Sequence, residues 1–114
     1  METIARSGQL PFLNVLKKLG PSSGGILSFP CEGYTFAIDF PIRTGLGDLL
    51  ARLDRQVLDA GGRIYLGKDA FLSASTFKAM YPQVEEWLQL KAAVDPHNAF
   101  TSDLGRRLGL TAPG

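Results

Sequence analysis

Alternating hydrophobic and polar positions predict two strands in the first third of the chain. The stretch YTFAIDF is rich in aromatic and β-forming residues and ends at Pro41. The stretch LPFLNVLKKLG also has strand character and ends at Gly20 and Pro21. Between them, the run ILSF is compatible with either a short strand or an extended loop.

A helical period replaces this alternation after Thr44, which is a candidate N-cap. Six aliphatic residues recur at spacings of three and four, as on one stripe of an amphipathic helix. They are Leu46, Leu49, Leu50, Leu53, Val57 and Leu58. Gly61 suits the left-handed residue that ends such a helix. The apolar run Ile64-Tyr65-Leu66 follows, so the pattern predicts a β-α-β unit with parallel strands.

The remainder of the chain has a helical pattern. Ser73 or Ser75 can cap a helix that runs through Met80, Pro82 suits the first turn of a second helix, and Ser102 can cap a third. The fold class predicted is therefore α+β, with a small sheet that includes the β-α-β unit. The long helix is expected to cover one sheet face, and a helical C-terminal segment packs beside it.

Composition excludes several classes of function. The chain has 114 residues, 45% hydrophobic and 20% charged, which is normal for one folded domain. A net charge of +1 predicts no nucleic-acid partner and no anionic-membrane surface. No apolar run approaches the roughly 20 residues of a membrane span, and the start lacks the apolar stretch of a signal peptide. We expect a cytoplasmic or membrane-peripheral protein.

Common catalytic and binding motifs are missing from the sequence. Its single cysteine, Cys31, and single histidine, His97, argue against an internal disulfide, a metal site and a catalytic triad. The glycine-containing stretches GLGDLL and SSGG fit neither the dinucleotide fingerprint nor the P-loop.

The two faces of each predicted strand differ in chemistry. In YTFAIDF, the side with Phe36, Ile38 and Phe40 is expected to face the core. The opposite side suits solvent or a ligand lying flat on the sheet, and it carries Thr35, Ala37 and Asp39. In the first strand, one side is either core, with a lysine that reaches water, or the wall of an apolar pocket with one cation. That side carries Leu13, Val15, Lys17 and Leu19.

Lys68 follows Gly67 at the end of an apolar run. A solvated turn is the commoner role for such a lysine, and a cation at the mouth of a binding site is the alternative. Tyr65 and Lys68 fall on opposite faces of a regular strand, although Gly67 can break the alternation. Asp69 can pair with Lys68 or cap the next helix.

The order of these stretches resembles the C-terminal part of flavoprotein oxidases of the vanillyl-alcohol oxidase and p-cresol methylhydroxylase superfamily. The nearest branch contains the oxidases of decaprenylphosphoryl-ribose and of sugar lactones. The resemblance covers residues 12–108 and is carried by FLNVLKKLG, LSFPCEGYTFAIDFPI, GLGDLLARLDRQVLDAGGRIYLGKD, TFKAMYPQVEEW and VDPHNAFTSDLGRRL. It implies that residues 10–114 are the C-terminal portion of a substrate (cap) domain. Residues 1–9 then read as a disordered or truncated end.

The resemblance also implies an activity for a parent enzyme. Such an enzyme uses FAD to oxidise a secondary alcohol of a sugar-like substrate to a ketone. Most of the FAD-binding part lies outside this chain, so its expected partner is an N-terminal FAD-binding domain, supplied in cis or in trans. The chain alone is expected neither to retain FAD nor to catalyse the reaction, because tight binding needs a diphosphate cradle.

Site residues follow from the same resemblance. Lys68 matches a catalytic lysine against the flavin, and Tyr65 matches a tyrosine beside it. The substrate-binding set comprises Leu13, Val15, Lys17, Leu19, Thr35, Ala37 and Asp39. Two departures weaken the case for an identical substrate, since the best-known member has a cysteine at position 37 and an amide at position 35.

A second class of function is also compatible with the sequence. The chain can be a free-standing α+β binding or assembly module without catalytic activity. Such a module would pair with another protein, or with a second copy of itself, through an exposed sheet edge.

Overall fold

The computed structural model describes residues 1–111. Those residues form a mixed α+β structure with five helices and one two-stranded antiparallel sheet. The helices are α1 (Glu2–Ser7), α2 (Leu46–Asp59), α3 (Ala74–Met80), α4 (Val84–Val94) and α5 (Asp103–Leu108). The strands are β1 (Leu13–Leu19) and β2 (Gly33–Asp39). The α+β class and the helical C-terminal segment are therefore as the sequence predicts.

The sheet is an antiparallel pair joined by a long loop. Leu13 lies opposite Asp39, Val15 opposite Ala37 and Lys17 opposite Thr35. Both strands lie where the alternating pattern predicts them, while ILSF lies in the connecting loop. Antiparallel pairing means that residues directly opposite each other share a face of the sheet.

The predicted β-α-β unit is wrong. Residues 62–65 form no strand, and Leu66–Lys68 is a turn of 3₁₀-helix. A strand needs a neighbouring strand for its backbone, and the Ile64 carbonyl instead accepts a hydrogen bond from the Tyr81 hydroxyl at 2.8 Å. The apolar run is explained by packing, since Ile64 and Leu66 lie against the helical core.

The predicted covering of the sheet is also wrong. The long helix α2 packs against α1 and α3 rather than against the strands. The sheet side expected to face the core is largely exposed, with Tyr34 70% and Phe36 54% accessible. We call this side the outer face, and it carries Asn14, Leu16, Lys18, Tyr34, Phe36 and Ile38, with Phe12 extending it.

The hydrophobic core lies among the C-terminal helices. Phe77 and Leu108 are completely buried, and Tyr81 stacks beside Phe77 with ring centroids 5.1 Å apart. The other buried members are Leu72, Met80, Val84 and Leu110. This cluster joins α3, α4 and α5 and the segment before α3, so the helical part has its own source of stability.

Two of the three helix N-caps predicted from the sequence are present in the structure. The Ser73 hydroxyl accepts a hydrogen bond from the Thr76 amide, and the Ser102 hydroxyl accepts one from the Gly105 amide. Thr44 does not cap α2, because Gly45 occupies the N-cap in a left-handed conformation (φ 87°) and no side chain caps it.

The first residues include the short helix α1 (Glu2–Ser7). In α1, Ile4 is 5% exposed and the helix packs against α2. Thr3 and Gln56 are hydrogen-bonded through their side chains between the two helices. The division of the chain at residue 9 stays a prediction.

Candidate functional site

One face of the sheet carries all seven residues predicted to bind substrate. We call it the inner face, and it comprises Leu13, Val15, Lys17, Leu19, Thr35, Ala37 and Asp39. The strand pairing brings the two sets together, because each member on β1 lies opposite residue 33, 35, 37 or 39 on β2. Val15, Thr35 and Ala37 are partly buried, while Lys17 is exposed. The face is therefore a mostly apolar and small-residue surface with one lysine.

Lys68 ends a single 3₁₀ turn, Leu66–Lys68, and Tyr65 precedes this turn as its N-cap residue in an extended conformation. The Lys68 amide donates to the Tyr65 carbonyl at 3.2 Å. A Cβ atom at Gly67 would lie 2.6 Å from the Tyr65 ring, so only glycine permits the ring to fold over the turn.

An ion pair links this turn to the inner face. The Lys68 Nζ atom lies 3.5 Å from Oδ1 of Asp39, at the end of β2. The lysine side chain is 55% exposed and the aspartate side chain 34% exposed. The turn therefore holds the Lys68 ammonium at the border of the inner face, where it remains accessible to a ligand.

Aromatic and cationic contacts hold the segment that leads into the turn. The Arg63 guanidinium lies over the Tyr81 ring, 5.3 Å from its centroid, and donates to the Ser28 carbonyl at 2.5 Å. The Tyr65 ring stacks on Phe29 with centroids 5.3 Å apart. Burial raises the pKa of Tyr81, which matches its use as a hydroxyl donor inside the core.

Asp69 neither pairs with Lys68 nor caps the next helix, the two roles considered from sequence. Its Oδ1 atom accepts hydrogen bonds from the amides of Phe71 and Leu72 at 3.0 and 2.9 Å. Its Oδ2 atom accepts one from Nη2 of Arg107 at 2.8 Å. Sequence reasoning missed Arg107, since no spacing rule connects two residues 38 positions apart.

Asp54 on α2 has a raised pKa. Desolvation, and to a lesser extent the negative charge of Asp69, raises its pKa to about 6. The folded chain therefore binds more protons than the unfolded chain between about pH 4 and pH 6. Its free energy of unfolding falls as the pH rises through this window.

Replacing Asp54 with asparagine is expected to remove this pH dependence. The Asp54→Asn variant should be more stable at pH 7 by about 1 kcal/mol, because a partly exposed carboxylate keeps part of its hydration. Urea unfolding at pH 4, 5, 6 and 7 measures the effect. Asp59→Asn, at the exposed end of the same helix, serves as the control. An unchanged slope in the Asp54 variant would contradict the assignment.

Metal sites, membrane-spanning helices and other grooves are the remaining features of interest in the described part of the chain. No group of histidine, cysteine, aspartate and glutamate within residues 1–111 could hold a metal ion. Cys31 is an exposed thiol. None of the helices described is long and apolar enough to cross a membrane. A groove beside α4, lined by Trp87 and Phe100 among others, contains none of the predicted site residues.

Comparison with known proteins identifies the family of this chain. The model of the D-arabinono-1,4-lactone oxidase family matches residues 44–108, more than half of the chain. The chain therefore belongs to this family, which is one of FAD-linked oxidases. The matched region contains the 3₁₀ turn, Asp69 and α5.

Two curated relatives extend the similarity to the sheet. The chain is 49% identical over 107 residues to decaprenylphosphoryl-beta-D-ribose oxidase of Mycolicibacterium smegmatis, covering 94% of this chain and 23% of that protein. It is 47% identical over 97 residues to an uncharacterized protein in the mprA 5' region of Streptomyces coelicolor, covering 84% of this chain and 26% of that protein. The chain thus spans about a quarter of the length of these relatives.

Proposed function

We propose that this chain is the C-terminal part of the substrate domain of an FAD-dependent oxidoreductase. The whole enzyme would oxidise a secondary alcohol of a sugar-like substrate to a ketone. One observation carries the proposal: the seven residues of the inner face lie together, and Lys68 contacts one of them, Asp39. Family membership and the similarity to an oxidase of a sugar substrate support it.

The residues at the border of the inner face fit one edge of a flavin ring. Lys68 offers an ammonium and Tyr65 a phenolic ring, both partly accessible. FAD, when bound, supplies the acceptor for the hydride that leaves the alcohol carbon. Lys68 would hold a fixed positive charge where negative charge develops during that transfer. Asp39 would orient the ammonium through their ion pair.

The inner face would bind the substrate. Val15 and Ala37 offer apolar surface opposite each other, and Lys17 and Thr35 form a neighbouring polar pair. A lysine ammonium and a threonine hydroxyl can both hydrogen-bond to sugar hydroxyl groups, while the small Ala37 side chain leaves room for a ring. Half of a pocket cannot exclude water, so catalysis requires a second wall.

The outer face indicates that another part of the enzyme also contacts the other side of the sheet. Phe12, Leu16, Tyr34 and Phe36 are each more than half exposed, and so many exposed large apolar residues on one face are typical of an interaction surface. The relatives are about four times as long as the matched region. We infer that further polypeptide of the whole enzyme covers this face, while an FAD-binding domain, attached in cis or supplied in trans, lies against the inner face on the opposite side of the sheet and completes the pocket.

The isolated chain is expected to bind no FAD. After incubation with FAD and gel filtration, the protein peak should lack flavin absorbance, because tight FAD binding needs a diphosphate cradle, which by the family resemblance is expected in the N-terminal domain. The positive control is a chimera in which this chain replaces the matched 107 residues of the Mycolicibacterium oxidase. The chimera should elute yellow. A yellow isolated chain would contradict its dependence on a partner, and a colourless folded chimera would contradict the proposed function.

The exposed outer face also favours a second candidate, a binding or assembly module without catalytic activity. In that case the two-stranded sheet would pair with another copy through its open edges. The same gel-filtration experiment separates the candidates. A stable dimer of the isolated chain, together with a chimera that retains no flavin, would favour the module.

A further inference from the structure

Lys68 has little to hold its own side chain in place. Within residues 1–111 its one ion pair, with Asp39, spans 3.5 Å and is accessible to solvent at both ends. An exposed pair of this kind contributes little stability by itself. The position of the ammonium therefore depends on how firmly the backbone of the Leu66–Lys68 turn is fixed.

Asp69, the next residue, fixes that backbone. Its side chain is only 8% exposed. One oxygen accepts from the amides of Phe71 and Leu72, and the other accepts from Arg107. Hydrogen bonds to an ionised carboxylate are roughly twice as strong as neutral ones. This side chain therefore fixes the backbone conformation directly after Lys68.

Arg107 completes the arrangement from α5. Its Nη2 atom donates to the Asp69 carboxylate at 2.8 Å, and its Nη1 atom donates to the Leu72 carbonyl at 2.6 Å. The planar guanidinium can bridge both acceptors at once, which a lysine ammonium at this position could not reproduce. Neighbouring Leu108 is completely buried, so the core holds α5 in place.

We propose that Asp69 and Arg107 form an anchor that positions Lys68 against the inner face. This proposal rests on the proposed function, in which Lys68 contacts the flavin. Asp69 and Arg107 touch neither substrate nor cofactor, so they are positioning residues. The arrangement gives the C-terminal helix a direct role in placing a side chain of the site.

The electrostatic surroundings make the anchor sensitive to the loss of Arg107. Asp69 lies close enough to Asp54 for its charge to raise the Asp54 pKa. Lys68 is engaged with Asp39. Removing Arg107 would leave the buried Asp69 carboxylate without its cation and beside a second carboxylate, which favours displacement of the turn.

Zero-length cross-linking of the 114-residue chain tests the anchor without any flavin. A carbodiimide joins an amine to a carboxylate only where the two are in contact, and peptide mass spectrometry should detect a Lys68–Asp39 product. We expect Arg107→Ala and Arg107→Lys to lower its yield about five-fold, as loss of a charge-assisted hydrogen bond would. Arg106→Ala is the matched control, because Arg106 pairs with the exposed Asp103.

Asp69→Asn keeps the proposal testable if the arginine variants do not fold. Asparagine can still accept from the two amides but loses the charged contact with Arg107. Its cross-link yield should also fall, with circular dichroism showing a folded chain. An absent Lys68–Asp39 product in the wild type, or an unchanged yield in folded Asp69→Asn, would overturn the proposal.

A rate measurement in the chimera separates positioning from general structural damage. Asp69→Asn should slow flavin reduction in the otherwise wild-type chimera. It should have no further effect in a chimera that already carries Lys68→Met. Equal slowing in both backgrounds would show that the anchor does not act through Lys68. If the chimera binds no flavin, the proposed function fails while the cross-linking result still decides whether the anchor positions Lys68.

Discussion

Replacing Lys68 with methionine in the chimeric oxidase is expected to slow flavin reduction by the alcohol substrate about 100-fold. Methionine keeps most of the length of the side chain but removes its charge. A preorganised cation is worth about this much where charge develops in a transition state, as single oxyanion-hole donors are. Anaerobic stopped-flow absorbance measures the reduction step directly and separates it from reoxidation.

Two control variants define what this result means. Lys68→Arg keeps the positive charge and should retain more of the rate than methionine, although its planar head fits the position less well. Lys78→Ala removes an exposed lysine from α3 and should leave the rate unchanged. A methionine variant that reduces flavin at the wild-type rate would disprove the role of Lys68. The amount of flavin retained after gel filtration should be similar in all three proteins.

The composition of the inner face was predictable because strand side chains alternate with a period of two. Each strand gave its own set of residues, and antiparallel pairing with Val15 opposite Ala37 placed both sets on the same side. The same alternation also identified the aromatic side, but it could not show what covers that side. Phe36 was expected in the core and is half exposed, because a period identifies a face and not its partner.

The third predicted strand failed for a related reason. Ile64, Tyr65 and Leu66 are strong strand formers, yet intrinsic preference cannot supply a neighbouring strand. The Tyr81 hydroxyl satisfies the Ile64 carbonyl, and a 3₁₀ turn follows at Leu66–Lys68. Tyr65 and Lys68 were singled out by family resemblance and not by the strand pattern.

The contact between Arg107 and Asp69 could not be predicted from the sequence. Arginines in the last turn of a helix usually interact with the helix end and with solvent, and Arg106 does pair locally with Asp103. Arg107 instead reaches Asp69, 38 residues earlier, because the buried core fixes the angle of α5. Only the tertiary structure reveals which of two adjacent arginines supports the site.

Phe77→Ala is expected to destabilise the isolated chain by about 4 kcal/mol, the range found for large aromatic residues removed from cores. Phe77 is completely buried between α3 and its neighbours and stacks on Tyr81. A domain of this size has a total stability of roughly 5–15 kcal/mol. The variant should therefore be marginally folded at 25 °C. Urea unfolding followed by circular dichroism measures the loss.

Phe36→Ala provides the contrast, because Phe36 lies on the outer face and is 54% exposed. Its loss should change the stability of the isolated chain by no more than about 0.5 kcal/mol, as for most surface substitutions. In the chimera the same change should weaken flavin retention or lower the melting temperature, since the ring would then be covered. A large loss in the isolated chain would mean that the outer face already has a partner within this chain. Loss of stability in neither setting would contradict the inferred cover for the outer face.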